Sequence, residues 1–95
     1  MKRVLRLSRQ VIEFMARLAP EPRRALKHAL ADLSEGRGDI QALEANLAGY
    51  HRQRVGKFRI IFQYVRHGVI EVIFIEERAL VYELFEAELV KRLKG

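Results

Sequence analysis

The hydrophobic period of this chain changes half-way along, and that change constrains the fold more than any other feature. Up to Leu33 the apolar residues recur at helical spacing, whereas from Tyr50 onward they follow a period of two. Phe58-Ile60-Phe62-Tyr64 interleaves with Arg59-Ile61-Gln63-Val65, and both sets are rich in the β-branched and aromatic residues that favour a pleated surface. Arg66-His67-Gly68 reads as a turn and Val69 to Ile75 as the returning strand, with Gly56-Lys57 turning the pair before it. The second half is therefore a meander of strands.

The first half supplies its cover. Val4-Leu5-Arg6-Leu7 reads as a short strand, and the Ser8 hydroxyl is placed to cap a helix whose apolar face is Val11, Ile12, Met15 and Leu18. Ala19-Pro20-Glu21-Pro22 breaks that helix, and Pro22 suits the first turn of the next, where a missing N–H costs nothing. Leu26, Ala29, Leu30 and Leu33 give the second helix its stripe, and Gly36 stops it. Gly36-Arg37-Gly38-Asp39 reads as a loop, and Ile40 to Ala48 as a connector anchored by Leu43 and Leu47. Leu84, Phe85, Leu89 and Leu93 mark a closing helix, acidic at its start and basic at its end, as the helix dipole favours. The expected architecture is one α+β domain over residues 1–95, ordered β-α-α-β-β-β-α, with a helical hairpin packed on a small twisted, mainly antiparallel sheet and a C-terminal helix.

Composition narrows the chemistry. A hydrophobic fraction of 49% in 95 residues is enough for a packed interior. The absence of Cys removes thiol nucleophiles, thiolate metal sites and disulfides. No secretory signal or membrane-length apolar run is recognisable, so the expected setting is the cytoplasm. Lys and Arg total 18 against 12 Asp and Glu, a net charge of +6, which favours a polyanion or an acidic partner. The charge is focused: Gly49 to Ile70 holds Arg52, Arg54, Lys57, Arg59 and Arg66 with no Asp or Glu.

The segment Leu47-Ala48-Gly49-Tyr50-His51-Arg52-Gln53-Arg54-Val55-Gly56-Lys57-Phe58-Arg59-Ile60-Ile61-Phe62 resembles the signature of the RelE/ParE toxin superfamily, in which a leucine and glycine precede an Arg-x-Arg-x-Gly-x-aromatic-Arg hairpin. The apolar strand Ile70–Ile75, then Arg78 and the Val81-Tyr82 pair, follow at a fitting distance, so the resemblance covers nearly the whole chain. It implies a toxin of a type II toxin–antitoxin system, held by a cognate antitoxin in a heterotetramer or larger assembly. RelE-like members cut messenger RNA on the ribosome, and ParE-like members poison DNA gyrase. The leading expectation is a ribosome-dependent mRNA endoribonuclease, with gyrase inhibition as the alternative and RNA binding without catalysis third. No cofactor, metal or membrane is expected in any of these.

RNA cleavage by the ribose 2′-hydroxyl requires a base for its proton, cations for the phosphoryl oxygens and help for the leaving 5′-oxygen; fixed guanidinium groups can do the electrostatic part without a metal. Arg52 and Arg54, two apart on a strand, share one face. The resemblance implies that Arg52, Arg54 and Lys57 bind RNA phosphate, that Arg59 clamps the reacting phosphate, that Tyr82 transfers a proton and that Arg78 borders the site. Each has a plainer reading: Arg52 and Arg54 as solvated strand positions, Arg59 in a structural salt bridge, Arg78 as a buried structural arginine, Tyr82 as a packing residue. A phenol ordinarily ionises near pH ~10, so Tyr82 as a base needs several cations close by. His51 should point away from Arg52 and Arg54, and His67 is a turn residue. Glu76 and Glu77 stand where RelE-like nucleases carry a basic residue or a histidine; a carboxylate there repels phosphate or replaces the tyrosine as base.

Overall fold

The central hairpin forms as the alternation requires: Phe58–Arg66 pairs antiparallel with Val69–Glu77. In the computed structural model, which describes residues 2–94, these are β4 and β5 of the series β1 (Val4–Leu7), α1 (Arg9–Ala16), α2 (Pro20–Ser34), β2 (Asp39–Ala42), a 3-10 turn (Ala45–Leu47), β3 (His51–Val55), β4, β5 and α3 (Val81–Lys94). The sheet order is β1-β5-β4-β3-β2, parallel only between β1 and β5. The expected α+β architecture is present, with one strand more than the pattern suggested. Asp39–Ala42, read from sequence as loop and connector, pairs with β3 as an edge strand. Its Asp-Ile-Gln-Ala has little intrinsic strand preference, so pairing and the packing of Ile40 on the core decide it.

Both faces of the sheet are covered. Phe58, Ile60, Phe62, Ile70, Val72 and Ile75 meet Val11, Met15, Leu26, Ala29, Leu30 and Leu33 of the helical hairpin. Ile61, Ile73 and Phe74 meet Val81 and Phe85 of α3 and Leu47 of the 3-10 turn. A bulge makes this possible: Ile61 faces Phe74 and Phe62 faces Val72, leaving Ile73 as the extra residue, so that Ile73 and Phe74 both join the α3 side. Of the closing helix's expected apolar residues, Phe85 is buried and Leu89 partly so, whereas Leu84 and Leu93 are exposed. Among the described residues no helix is long and apolar enough to cross a membrane.

The start of α1 is fastened to β5 by two side chains. After β1 ends, the Ser8 N–H donates to Val72 O, and the Ser8 hydroxyl donates to Ile73 O at 2.6 Å while accepting from Val11 N–H at 3.2 Å. Ser8 thus caps the helix and holds the bulged strand with one oxygen. Gln10 continues the pairing: its amide nitrogen donates to Ile75 O at 2.7 Å, and its amide oxygen accepts from Ile75 N–H at 2.9 Å. Further along the same face, buried Gln53 donates to Ala29 O at 2.9 Å and ties β3 to α2. That side chain lies so close to Gly38 (φ +126°) that a Cβ there would stand 2.7 Å from Gln53 Nε2, which is why the entry to β2 needs glycine.

Ser8→Ala removes the cap and leaves the Ile73 carbonyl without its hydroxyl partner. The expected cost is about 1–2 kcal/mol, read as a lowered urea midpoint at unchanged slope. An unchanged midpoint would show that neither bond contributes to stability.

Candidate functional site

Strand register writes a row of charges across the face that carries α3. Asp39 of β2 faces Arg54 of β3, Arg54 faces Arg59 of β4, and Arg59 faces Glu76 of β5. Residues opposite each other in a sheet share a face, so one acid, two arginines and a second acid lie side by side over four strands. The next row on that face runs Gln41, Arg52, Ile61 and Phe74, the last two under α3. The charged row therefore borders the apolar cover and lies beside the first turn of α3.

The side chains fill in this pattern. Asp39 holds both β3 arginines: its Oδ2 pairs with Arg54 Nε at 2.7 Å and its Oδ1 with Arg52 Nη1 at 3.3 Å. Arg52 also donates to Asp39 O at 3.0 Å and to Gln41 Oε1 at 2.6 Å, which leaves it largely buried, while Arg54 remains exposed. The hydrogen bond from Arg52 keeps the Asp39 carboxyl below its ordinary range; partial burial opposes this, and the Arg54 and Arg52 charges add to it. Arg59 donates from Nη1 to Gly56 O at 2.9 Å and Phe58 O at 2.8 Å, folding its guanidinium onto its own turn. Burial pushes that guanidinium below its ordinary value, the Tyr82 oxygen opposes the shift, and Arg52, Arg54 and Arg78 deepen it. An arginine so placed stays charged, and its surroundings are concentrated positive potential.

Of the six residues singled out from sequence, Arg52, Arg54 and Arg59 share the α3 face of the sheet, and the charges of Arg78 and Tyr82 are near enough to act on the Arg59 guanidinium. Tyr82 is half-buried against the α3 core, and exposed Arg78 fixes the strand end by donating its backbone N–H to Lys57 O. Lys57 does not join them. Its ammonium stands over the Phe58 ring and pairs with Glu77 Oε1 at 3.4 Å, and Phe58 belongs to the hairpin side. Two acids absent from the local sequence enter in space: the segment Gly49–Ile70 lacks carboxylates, yet Asp39 and Glu76 flank its arginines through the register. Asp39 reaches them only because β2 pairs with β3, a contact without a local sequence signal. His51 turns away as strand alternation requires, its ring stacked on Phe62 at 5.4 Å, and His67 lies in the β4–β5 turn. Among the described residues no cluster of His, Asp or Glu has the makings of a metal site.

No family model matches the chain, and no curated protein does. Solved structures do. The RelBE2 toxin–antitoxin complex from Mycobacterium tuberculosis aligns over 82% of this chain and 100% of the other, at 22% identity and a TM-score of 0.70. The RelB–RelE antitoxin–toxin complex from Methanococcus jannaschii aligns over 84% and 98%, at 18% identity and 0.65. The YoeB/ParE toxin from Agrobacterium tumefaciens aligns over 82% and 99%, at 20% identity and 0.65. The fold is that of the RelE/ParE toxins. Within it, the acid–arginine–arginine–acid row is the feature that sequence reading missed; an exposed Asp two residues before Gln41 carries no local signal of its partners.

The Asp39 bridge makes a pH prediction. Its carboxyl is depressed in the folded protein, so its stabilising contribution is present above the ordinary value of 3.8 and is lost as pH falls through the lower, folded value. Asp39→Asn should unfold more easily than wild type at neutral pH, and the urea midpoints of the two should converge as pH falls below 3.8. A difference that persists undiminished in acid would mean that the carboxylate charge is not what β2 contributes.

Proposed function

We propose that this chain is the toxin of a type II toxin–antitoxin pair and that it cleaves messenger RNA on the ribosome without a metal. The observation that carries this reading is the basic row on the α3 face, where Arg54 faces Arg59 with Arg52 beside them, while Arg78 and Tyr82 follow at the end of β5 and the start of α3. Four guanidinium groups beside a hydroxyl suit a phosphodiester whose negative charge grows during attack by the 2′-hydroxyl. Arg59 clamps the reacting phosphate, Arg52 and Arg54 lead the RNA toward it, and Tyr82 moves a proton; Arg78 neutralises charge beside them. Lys57, turned toward Glu77, contributes to RNA binding only from the rim. The RelBE2 and RelB–RelE likenesses support a cognate antitoxin as partner. Exposed Val90 and Leu93 of α3 line an apolar groove with Leu47 and Leu89, a surface that an antitoxin segment would cover.

Gyrase inhibition is the second reading, and one observation favours it: Asp39 and Glu76 offset part of the arginine charge that RNA would need. Induction experiments separate the two. Pulse labelling should show protein synthesis stopping first, with plasmid supercoiling unchanged; early loss of supercoiling with translation intact would transfer the protein to the gyrase class.

A site variant tests the mechanism. Arg59→Ala should lower the rate of message cleavage on programmed ribosomes about 10²–10³-fold, the loss typical of one transition-state donor. Its circular dichroism should stay that of wild type. Full activity in this variant would remove the arginine cluster from the mechanism.

A further inference from the structure

We infer that Glu76 is the general base that accepts the ribose 2′-hydroxyl proton, an assignment that rests on the RNase reading above. The sequence offers two adjacent carboxylates here, and the register separates them. Glu76 faces Arg59 on the α3 side, whereas Glu77 faces Phe58 and pairs with Lys57 on the opposite side. Asp39, the other acid of the charged row, is engaged by both Arg52 and Arg54, which makes it a structural counter-charge whose oxygens are already occupied. Glu76 forms no ion pair among the described residues, and its one hydrogen bond there is from the Glu77 N–H to Oε1 at 3.1 Å. It is half-buried, beside the arginine that clamps the phosphate. His51 lies on the other face against Phe62, and Tyr82 is left to serve as the acid.

Arg59 and Glu76 face each other across β4 and β5, and side chains so placed stand ~5 Å apart at Cβ, so a phosphodiester on Arg59 lies on the same face as the Glu76 carboxylate. The carboxylate takes the 2′-hydroxyl proton as the 2′-oxygen forms its bond to phosphorus. The bond from phosphorus to the 5′-oxygen breaks, and the Tyr82 hydroxyl gives that oxygen its proton; the products are a 2′,3′-cyclic phosphate and a 5′-hydroxyl. Glu76 then releases its proton to solvent and the Tyr82 phenolate takes one up, which restores both groups. A carboxylate base and a phenol acid divide the two proton transfers between the sheet and α3, and neither needs Tyr82 to be ionised at the start.

The test uses single-turnover and steady-state cleavage of a defined message on programmed ribosomes. Glu76→Gln keeps size and polarity while removing the proton acceptor, so kcat should fall about 10²–10⁴-fold with KM within about threefold of wild type. Glu76→Asp, which withdraws the carboxylate by one methylene, should fall between the two, and Glu77→Gln should cleave like wild type. Wild-type kcat in Glu76→Gln, or a rise in kcat from relieved repulsion of the phosphate, overturns the inference. A wild-type protein that cuts no message on ribosomes overturns the RNase reading itself, so the two failures are distinct.

Discussion

Everything else in this molecule follows from two strands that are apolar on both faces. Between them β4 and β5 bury Phe58, Ile60, Phe62, Ile70, Val72 and Ile75 on one side and Ile61, Ile73 and Phe74 on the other. A strand pair of this kind has no solvent face, so the chain must bring helices to both sides. The hairpin of α1 and α2 covers one side, and α3 returns across the other. Ser8 and Gln10 then fix where the first cover begins, because the bulge at Ile73 leaves backbone groups that β1 does not reach. The chemistry is left to the margin where α3 starts and its apolar cover gives way to the charged row.

That margin is electrostatically awkward by itself. Two unit positive charges ~5 Å apart repel by about 1 kcal/mol in water and about 3 kcal/mol at an effective dielectric constant of ~20. Arg54 and Arg59 stand opposite each other in register, with Arg52 and Arg78 close to Arg59 as well. The free protein answers with Asp39 on Arg52 and Arg54, and with the Gly56 and Phe58 carbonyls on Arg59. Each of these partners offers oxygen acceptors to guanidinium donors, the same chemistry that a phosphate offers. Any phosphate that bound here would exchange one set of oxygen acceptors for another, and its net affinity would rest on the difference between them.

The sequence made the helices, the β4–β5 hairpin and the face shared by Arg52 and Arg54 legible, because each depends on a local period or a turn residue. It also placed His51 on the far face by simple alternation. It did not reveal β2, whose four residues become a strand only by pairing with β3, nor the exposure of Leu84 and Leu93, which depends on how α3 crosses the sheet. The loss of β2 had a consequence for the site: without it the arginine segment looked free of acids, although Asp39 sits directly beside Arg54. The position of Lys57 is not legible for a related reason, since a residue in a tight turn can lean to either face, and here Phe58 and Glu77 draw it away from the arginines.

The fold by itself does not select a target, since one scaffold can hold unrelated activities and what differs is the site set on it. Here the distinction narrows to a single facing pair. An acid at the position of Glu76 is a liability in a site that only binds phosphate, because it repels what Arg59 attracts. The same acid is an asset in a site that must take a proton beside a bound phosphate, since repulsion is tolerable where the arginines outnumber it. In a surface that merely docks on a protein, Glu76 would gain most by bridging Arg59, as Asp39 bridges Arg54. Instead Arg59 turns to its own turn's carbonyls and Glu76 to the Glu77 N–H, leaving the pair side by side and unjoined. That separation is what a clamp and a base need in order to act on two different atoms of one phosphodiester.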